Sequence, residues 1–318
     1  MTSNVYPLVT IGIPTYNRAD GYLKQTLASA LNQTYQNFEI IVSDNCSPDH
    51  TESVVKSFSD PRIRYFRHSE NIGANNNFNF CLEQASGDYF LLFHDDDLID
   101  TDFVETCMKA ANYSIATGIV RTGTRVIDSD GRVLEELPNM VGGLSTEDFF
   151  MGWFTGKTAL FLCSTLFNTK LLKEMGGFNS KHQLFQDVIA EAQLAARFGR
   201  VDVQEVKASF RRHPETRTFS HKVIEWCEDS LMVLDVMCDL VPEDKVPAIK
   251  NQGMRFLCGR NYSRVSAIDS PVKRFFTYLS VYRMFNYRLF PPIFPKKPLR
   301  RGIRYAKRKM DQLLASGG

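Results

Sequence analysis

Runs of β-branched and aromatic residues alternate with amphipathic stretches through the first third of the chain. Leu8–Ile13 (LVTIGI) predicts a strand closed by Pro14. Leu23, Leu27, Ala30 and Leu31 then share one helical face. Phe38–Ser43 (FEIIVS) predicts a second strand, Thr51–Phe58 a short helix beginning near Asp49 or His50, and Ile63–Arg67 (IRYFR) a third strand. Ala74–Ala85 follows as a helix, because Phe78, Cys81, Leu82 and Ala85 recur at helical spacing. Tyr89–Phe93 (YFLLF) is apolar throughout, the pattern of a strand buried on both faces, and Thr101–Ala111 is helical again. This β-α order predicts an α/β fold, a mostly parallel sheet flanked by helices through right-handed crossovers. Residues 112–220 are expected to complete the sheet. Val223, Trp226, Cys227, Leu231 and Leu234 open a helical region. The expected division is therefore an α/β domain over 1–220 and a helical region over 221–318, interrupted by Pro291, Pro292, Pro295 and Pro298 before a basic helix over Arg300–Leu314.

Composition changes this picture in one respect. With 318 residues, 43% hydrophobic and 23% charged, the chain has the values of a soluble globular protein. No apolar run approaches the roughly 18 residues of a membrane span, and the first residues lack a signal-peptide pattern, so a cytoplasmic location is expected. Seven scattered cysteines without a CxxC pair exclude a zinc ribbon and a dense disulfide framework, and suit buried thiols. The net charge of +2 conceals an asymmetry, because residues 271–318 hold twelve Lys/Arg and one acid, Asp311. Nine aromatic residues are interleaved with these cations. Such a tail fits peripheral contact with an anionic membrane surface, which would be the inner face of the cell membrane. Nucleic acid is not expected, since the rest of the chain is acidic and would repel it. A packed C-terminal helix pair with a solvated basic face is the plainer alternative.

The candidate chemistry stands at the predicted strand ends, where ligands bind in open α/β sheets. Those ends read Pro14-Thr15-Tyr16-Asn17, Asp44-Asn45, Glu70-Asn71 and His94-Asp95-Asp96-Asp97. Three adjacent carboxylates repel one another unless a cation neutralises them, and oxygen ligands suit Mg²⁺ or Mn²⁺. A solvated loop capping the next helix through Asp97 or Asp100 would explain the run without a metal. Asp44 can accept a nucleobase N–H or a ribose hydroxyl, or simply start an Asx-turn. GxGxxG is missing after the first strand and GxxxxGK[ST] from the whole chain, which disfavours a nicotinamide or Walker-type site.

VTIGIPTYNR (Val9–Arg18), LxQTYxNFEIIVSDNCSPDHT (Leu31–Thr51), RYFRHSENIGANNNFN (Arg64–Asn79) and SGDYFLLFHDDDLID (Ser86–Asp100) together resemble family 2 glycosyltransferases of the GT-A, Rossmann-like fold. GGFN (Gly176–Asn179) and FQDVIAEAQLAARFG (Phe185–Gly199) match in order and spacing, so the resemblance covers roughly the first two-thirds of the chain. The resemblance implies that Pro14, Thr15, Tyr16, Asn17 and Arg18 line the nucleobase and ribose pocket. Asp44 would hold the base, usually uracil, with Asn71 and Gly73 along the nucleotide. The family's Asp-x-Asp metal motif would fall on His94-Asp95-Asp96, with His94 a departure from its first position. Asp96 then takes the principal metal position, Asp97 flanks it, and Asp95 contacts ribose or metal. His213, in SFRRHPETRT (Ser209–Thr218), resembles a position that approaches the metal or diphosphate, and Arg211, Arg212 and Arg217 beside it could bind diphosphate oxygens.

The family's Glu-Asp pair would read Gln186-Asp187 here, making Asp187 the catalytic base unless it only charges a helix N-terminus. The implied activity is inverting transfer of a sugar from a nucleoside diphosphate sugar, with Mn²⁺ or Mg²⁺, to a glycan or lipid-linked acceptor in surface polysaccharide synthesis. Trp153 and Phe154 could stack on an acceptor sugar or fill the core. A metal-dependent sugar nucleotidyltransferase is the alternative enzyme. It is disfavoured by the lack of a Gly-rich, Lys/Arg-bearing first loop. A non-catalytic sugar-nucleotide-binding relative is the other alternative, and retention of Asp96 and Asp187 speaks against it.

Overall fold

A computed structural model of the chain describes residues 6–213 and 222–292. The described residues fall into two compact units, 6–213 with 228–253, and 222–227 with 254–292.

The first unit begins as the sequence predicts. Strand β1 (Val9–Thr15), helix α1 (Leu23–Leu31), β2 (Phe38–Asp44), α2 (Thr51–Lys56), β3 (Ile63–Arg67), α3 (Ala74–Gln84) and β4 (Tyr89–Leu92) follow in order. Then come β5 (Leu98–Ile99), α4 (Phe103–Ala110), β6 (Ile119–Ile127), β7 (Val133–Leu137) and α5 (Thr146–Thr155). A short 3₁₀ turn at Leu162–Ser164 leads into β8 (Thr165–Asn168), α6 (Thr169–Glu174), α7 (Gln186–Phe198) and β9 (Arg200–Arg211). The strand order is β3-β2-β1-β4-β8-β6-β9-β5, with β7 paired to β6. The first four strands are all parallel, and the second half of the sheet is mixed. β8 enters antiparallel between β4 and β6, β9 runs parallel to β6, and the two-residue β5 pairs antiparallel with β9.

Pro14 does not close β1. The strand continues through Thr15, and its residues from Ile13 onward pair with β2 alone, because β4 stops opposite Gly12. A proline lacks only a donor, so it is tolerated where one side of the strand is unpaired.

Successive side chains of the parallel strands point to opposite faces, and both faces are covered. Val9, Ile11 and Ile13 join Ile40, Val42, Leu91 and Phe93 in one core with Leu23 and Leu27 of α1 and Phe103 and Met108 of α4. On the other face α3 crosses close to β1, where a Cβ on Gly12 would meet Phe90 at 2.7 Å and Cys81 at 2.9 Å. Phe90, Leu91, Leu92 and Phe93 are completely buried, each worth about 1.5–3 kcal/mol in transfer terms. Trp153 and Phe154 belong to the core as well, at 5% exposure each, which removes them as an acceptor platform. Asp102, not Asp97 or Asp100, occupies the residue before α4. All seven cysteines are free, five of them buried.

Arg121, a residue of β6, has no exposed surface. Its Nε is 3.0 Å from Glu191 of α7 and its Nη1 3.3 Å from Asp202 of β9. Arg200 completes the group at 2.7 Å from Asp202, and both guanidiniums face the ring of Phe149. Burial pushes the Glu191 carboxyl up to about 8 despite the opposing charge of Arg121.

Helices α8 (Val223–Asp239) and α9 (Val246–Ser266) each contribute residues to both units. The second unit also holds α10 (Pro271–Met284), packed through Tyr278 against Tyr262 of α9, whose hydroxyl donates to Leu289 O at 2.7 Å. Arg264 lies over the Trp226 ring at 3.8 Å. Among the described residues no helix is long and apolar enough to cross a membrane. Arg217 and the basic segment over Arg300–Leu314 lie outside the described residues.

Candidate functional site

The parallel strands deliver their carboxyl ends to one edge, and the loops there are fixed by side chains bonding to backbone. After β1, Asn17 takes a left-handed conformation (φ 57°) that asparagine tolerates well, and its N–H donates to Ser47 Oγ at 2.9 Å. The Ala19 N–H donates to Asp49 at 2.9 Å. Asp49 is desolvated, yet hydrogen bonds from Thr51 and Ala19 hold its carboxyl below the usual range. Thr15 is buried, Tyr16 is exposed, and Arg18 Nε stands 3.8 Å from Asp95.

At the end of β2, Asp44 is almost completely buried. One carboxylate oxygen accepts the Ser47 N–H at 2.8 Å, and the other accepts the Tyr65 hydroxyl at 2.5 Å. The Asx-turn arrangement is thus present. Asn45, to which the family resemblance assigns no role, ties the next loop: its side-chain amide donates to Asn71 Oδ1 at 2.9 Å and its side-chain carbonyl accepts the Ile72 N–H at 2.8 Å. Asn71 Oδ1 also accepts from Gly73 N. Gly73 has φ +81° with open space around a would-be Cβ, so its backbone conformation, not crowding, is what calls for glycine.

The acidic run after β4 diverges residue by residue. Asp95 turns toward Arg18, and burial together with the neighbouring Asp96 charge pushes its carboxyl up to about 7. Asp96 Oδ2 is 2.8 Å from His213 Nε2. Asp97 is buried and accepts the Arg211 N–H at 2.9 Å, and desolvation and Asp96 hold its carboxyl well above the usual range. His94, Asp96 and Asp97 place one ligand atom each within 4.8 Å of one another. The histidine that looked like a departure from the motif therefore stands with the acids. Buried Cys163 lies close enough for Asp97 and Asp96 to add to the upward push of burial on its thiol.

Arg211 does not face outward toward a phosphate. It is completely buried, donating from its Nε to Asp96 O at 2.8 Å and from Nη2 to Gln25 at 3.0 Å, with its guanidinium 4.2 Å over the Tyr22 ring. A fixed cation beside Asp97 offsets part of the repulsion within the run, and its position at the end of β9, two residues before His213, brings that histidine to Asp96. Arg212 is exposed. A cleft of about 640 Å³ opens in front of this group, lined by Asn17, Arg18, Tyr22, Gln25, Asp49 and His213 among others.

Asp187 sits in the first turn of α7, where its carboxylate accepts the Val188 N–H at 2.9 Å. The preceding loop is held from two sides. Asn79 of α3 accepts from Phe178 N at 2.8 Å and donates to Phe178 O at 2.9 Å, which pins the Gly176-Gly177-Phe178 turn. Asp229 of α8 accepts from Ser180 Oγ, His182 N and Leu184 N at 2.7–3.0 Å.

Comparison with known proteins bears on the fold and the family. The family model for glycosyl transferase family 2 matches residues 10–168. A GalNAc(5)-diNAcBac-PP-undecaprenol beta-1,3-glucosyltransferase of Campylobacter jejuni is 33% identical over 179 residues, 54% of this chain and 57% of that protein. An uncharacterized glycosyltransferase of Rickettsia felis is 34% identical over 194 residues, 58% of this chain and 31% of that protein. The matched stretches thus span well under two-thirds of these relatives. Among solved structures, S. aureus TarS 1–349 in complex with UDP-GlcNAc superposes with a TM-score of 0.57 at 14% identity, covering 87% of this chain and 91% of that one. Mannosyltransferase PcManGT of Pyrobaculum calidifontis, in complex with GDP-Man and Mn²⁺, gives 0.53 at 17% identity over 90% of this chain and 86% of that one. These two likenesses show the GT-A fold.

Proposed function

The chain belongs to glycosyl transferase family 2, and on that premise we propose that it is an inverting enzyme moving a sugar from a nucleoside diphosphate sugar, UDP-linked first, to a hydroxyl of a glycan or lipid-linked acceptor in surface polysaccharide synthesis. The observation that carries this reading is the gathering of His94, Asp96 and Asp97 within 4.8 Å, with His213 2.8 Å from Asp96, beside the cleft at the strand ends. The name of the Campylobacter relative supports a lipid-linked acceptor. We assign catalysis to residues 1–220 and leave 221–318 as an accessory helical region.

The residues fit a divalent cation. Burial and the neighbouring Asp96 charge hold the Asp95 and Asp97 carboxyls above their usual range, a cost that a divalent cation among them would relieve. Carboxylate oxygens suit Mn²⁺ or Mg²⁺, and an imidazole nitrogen in the set favours Mn²⁺ of the two. Asp96, Asp97 and His213, joined by His94, would hold the ion, and a bound divalent cation supplies Lewis-acid neutralisation of the departing diphosphate.

The chain's own groups do the rest. Pro14 to Arg18, Asp44, Asn71, Gly73 and Asp95 bind the nucleoside. Asp44 reaches the base by exchanging its Tyr65 or Ser47 bond for one to the ligand. Asp187 accepts the proton of the acceptor hydroxyl as that oxygen attacks the anomeric carbon from the side opposite the diphosphate. A single in-line displacement inverts the anomeric centre and requires no protein nucleophile.

Donors of both classes bind on this fold, to TarS and PcManGT, so the assay spans UDP-, GDP- and dTDP-sugars with Mn²⁺ or Mg²⁺ against EDTA. Metal-dependent release of one nucleoside diphosphate, abolished in Asp96→Ala, is the expected result. Turnover of a nucleoside triphosphate with a sugar phosphate would instead assign nucleotidyl transfer, and neither turnover nor metal-dependent nucleotide binding would leave a non-catalytic binder.

A further inference from the structure

The second unit carries a surface that the transfer reaction does not use. Helix α10 is anchored on one side only: Tyr278, Val281 and Phe285 are buried, one helical face apart by three and four residues. The opposite side presents Val272 and Phe276 at 67% and 62% exposure, with Phe275 next to them. Beyond the helix Tyr287 and Phe290 are exposed as well. Three of the four exposed phenylalanines among the described residues lie in this one segment. The ring pair Phe275–Phe276, at 5.5 Å, is edge-to-face.

The charged residues of this segment all have one sign. Lys273, Arg274, Arg283 and Arg288 lie between residues 271 and 292, a stretch without a single Asp or Glu. An aromatic surface needs an apolar phase, and a ring of cations needs anions at its border. A bilayer surface with anionic headgroups supplies both at once. A second copy of the chain does not, since a symmetric contact would set these cations against their own copies.

We propose that α10 and the segment through Phe290 dock on an anionic lipid bilayer, with Val272, Phe275 and Phe276 inserted at the headgroup boundary and the exposed Lys273, Arg283 and Arg288 on the lipid phosphates. This surface rests on no part of the proposed reaction.

The test is co-sedimentation of the full chain with phosphatidylglycerol-containing vesicles and with pure phosphatidylcholine vesicles, at low and high salt. Binding to the anionic vesicles alone, weakened by salt, is expected. Phe275→Ser/Phe276→Ser should lower partitioning at least tenfold, by an estimate of about 0.8 kcal/mol per buried CH₂, without moving the melting temperature. Lys273→Glu/Arg283→Glu, which leaves the rings in place, should lower it about fivefold or more per charge removed.

Absence of binding would overturn the proposal. So would binding that neither double variant weakens, which would place the lipid contact in residues 293–318. A concentration-dependent dimer dissolved by Phe275→Ser/Phe276→Ser would assign the face to self-association, and capture of RNA in place of vesicles would assign it to nucleic acid.

Discussion

Replacing Arg121 by Met tests the buried ionic group that joins α7 to the sheet. In the native chain the guanidinium has no exposed surface and touches Glu191 at 3.0 Å and Asp202 at 3.3 Å, while also donating to Thr158 and Ala159. Removing one partner of a buried pair leaves an uncompensated charge and typically costs about 3–5 kcal/mol. For a unit of this size that is a fall of about 6–20 °C in melting temperature. The deficit should depend on pH. Glu191 has a folded-state pKa of about 8, above the ordinary value of 4.5. The folded state therefore binds more protons than the unfolded state between these values, and stability declines as pH rises through that window. Glu191→Gln should flatten that decline. Arg121→Met should steepen it, because the charge that favours ionised Glu191 is gone. The double variant Arg121→Met/Glu191→Met removes both charges and should recover most of the loss. Urea unfolding at about pH 5, 7 and 8.5 measures all four proteins. A single-variant loss below about 1 kcal/mol, or a double variant no more stable than Arg121→Met, would refute the reasoning.

Other outcomes follow from the same structure. Gly177→Ala places a side chain at φ +74° against Asn79, and should cost roughly 2–3 kcal/mol by urea unfolding while lowering turnover through the displaced loop. Asp229→Asn weakens three hydrogen bonds to the 180–184 loop, so limited proteolysis should cut there faster, with a stability loss of about 1–3 kcal/mol. Arg211→Met removes the buried cation beside the Asp96–Asp97 segment. Calorimetry with Mn²⁺ alone should show altered binding, and the metal-free protein should unfold more readily at neutral pH than at pH 5 relative to the native chain. Asn45→Ala releases Asn71 and Ile72, and should raise KM for the donor several-fold with little change in melting temperature.

The first four strands and three helices were readable because each is local: a short apolar run, a turn signal, a helical stripe. The mixed half of the sheet was not, because β5 is only two residues long and β9 is defined by its pairing with β6, not by its own pattern. The strand ends announced Asp95, Asp96 and Asp97, yet their different surroundings, Arg18, His213 and the Arg211 backbone, lie in remote segments. His94 departs from the family motif at its first position, yet a histidine beside two acids is itself ligand-like. Asn45 carried a usable signal, standing next to Asp44 at a strand end with an asparagine-rich loop after β3. Arg121 and Glu191 carried none, since nothing in a sequence distinguishes a buried arginine from an exposed one.

The contact between Asp96 and His213 spans 117 positions of sequence, and its consequence concerns the order of events on the ribosome. At typical rates of about 5–20 residues per second, the acidic run emerges about 6–23 s before its histidine partner. A nascent chain in that interval has its parallel strands and the loops at their ends but not the Asp96–His213 contact. Any polypeptide that stalls or is clipped before residue 213 is therefore unable to complete the cluster. Completion of the site is tied to completion of the sheet, since the strand that carries Arg211 to the acids is the same one that pairs with β6.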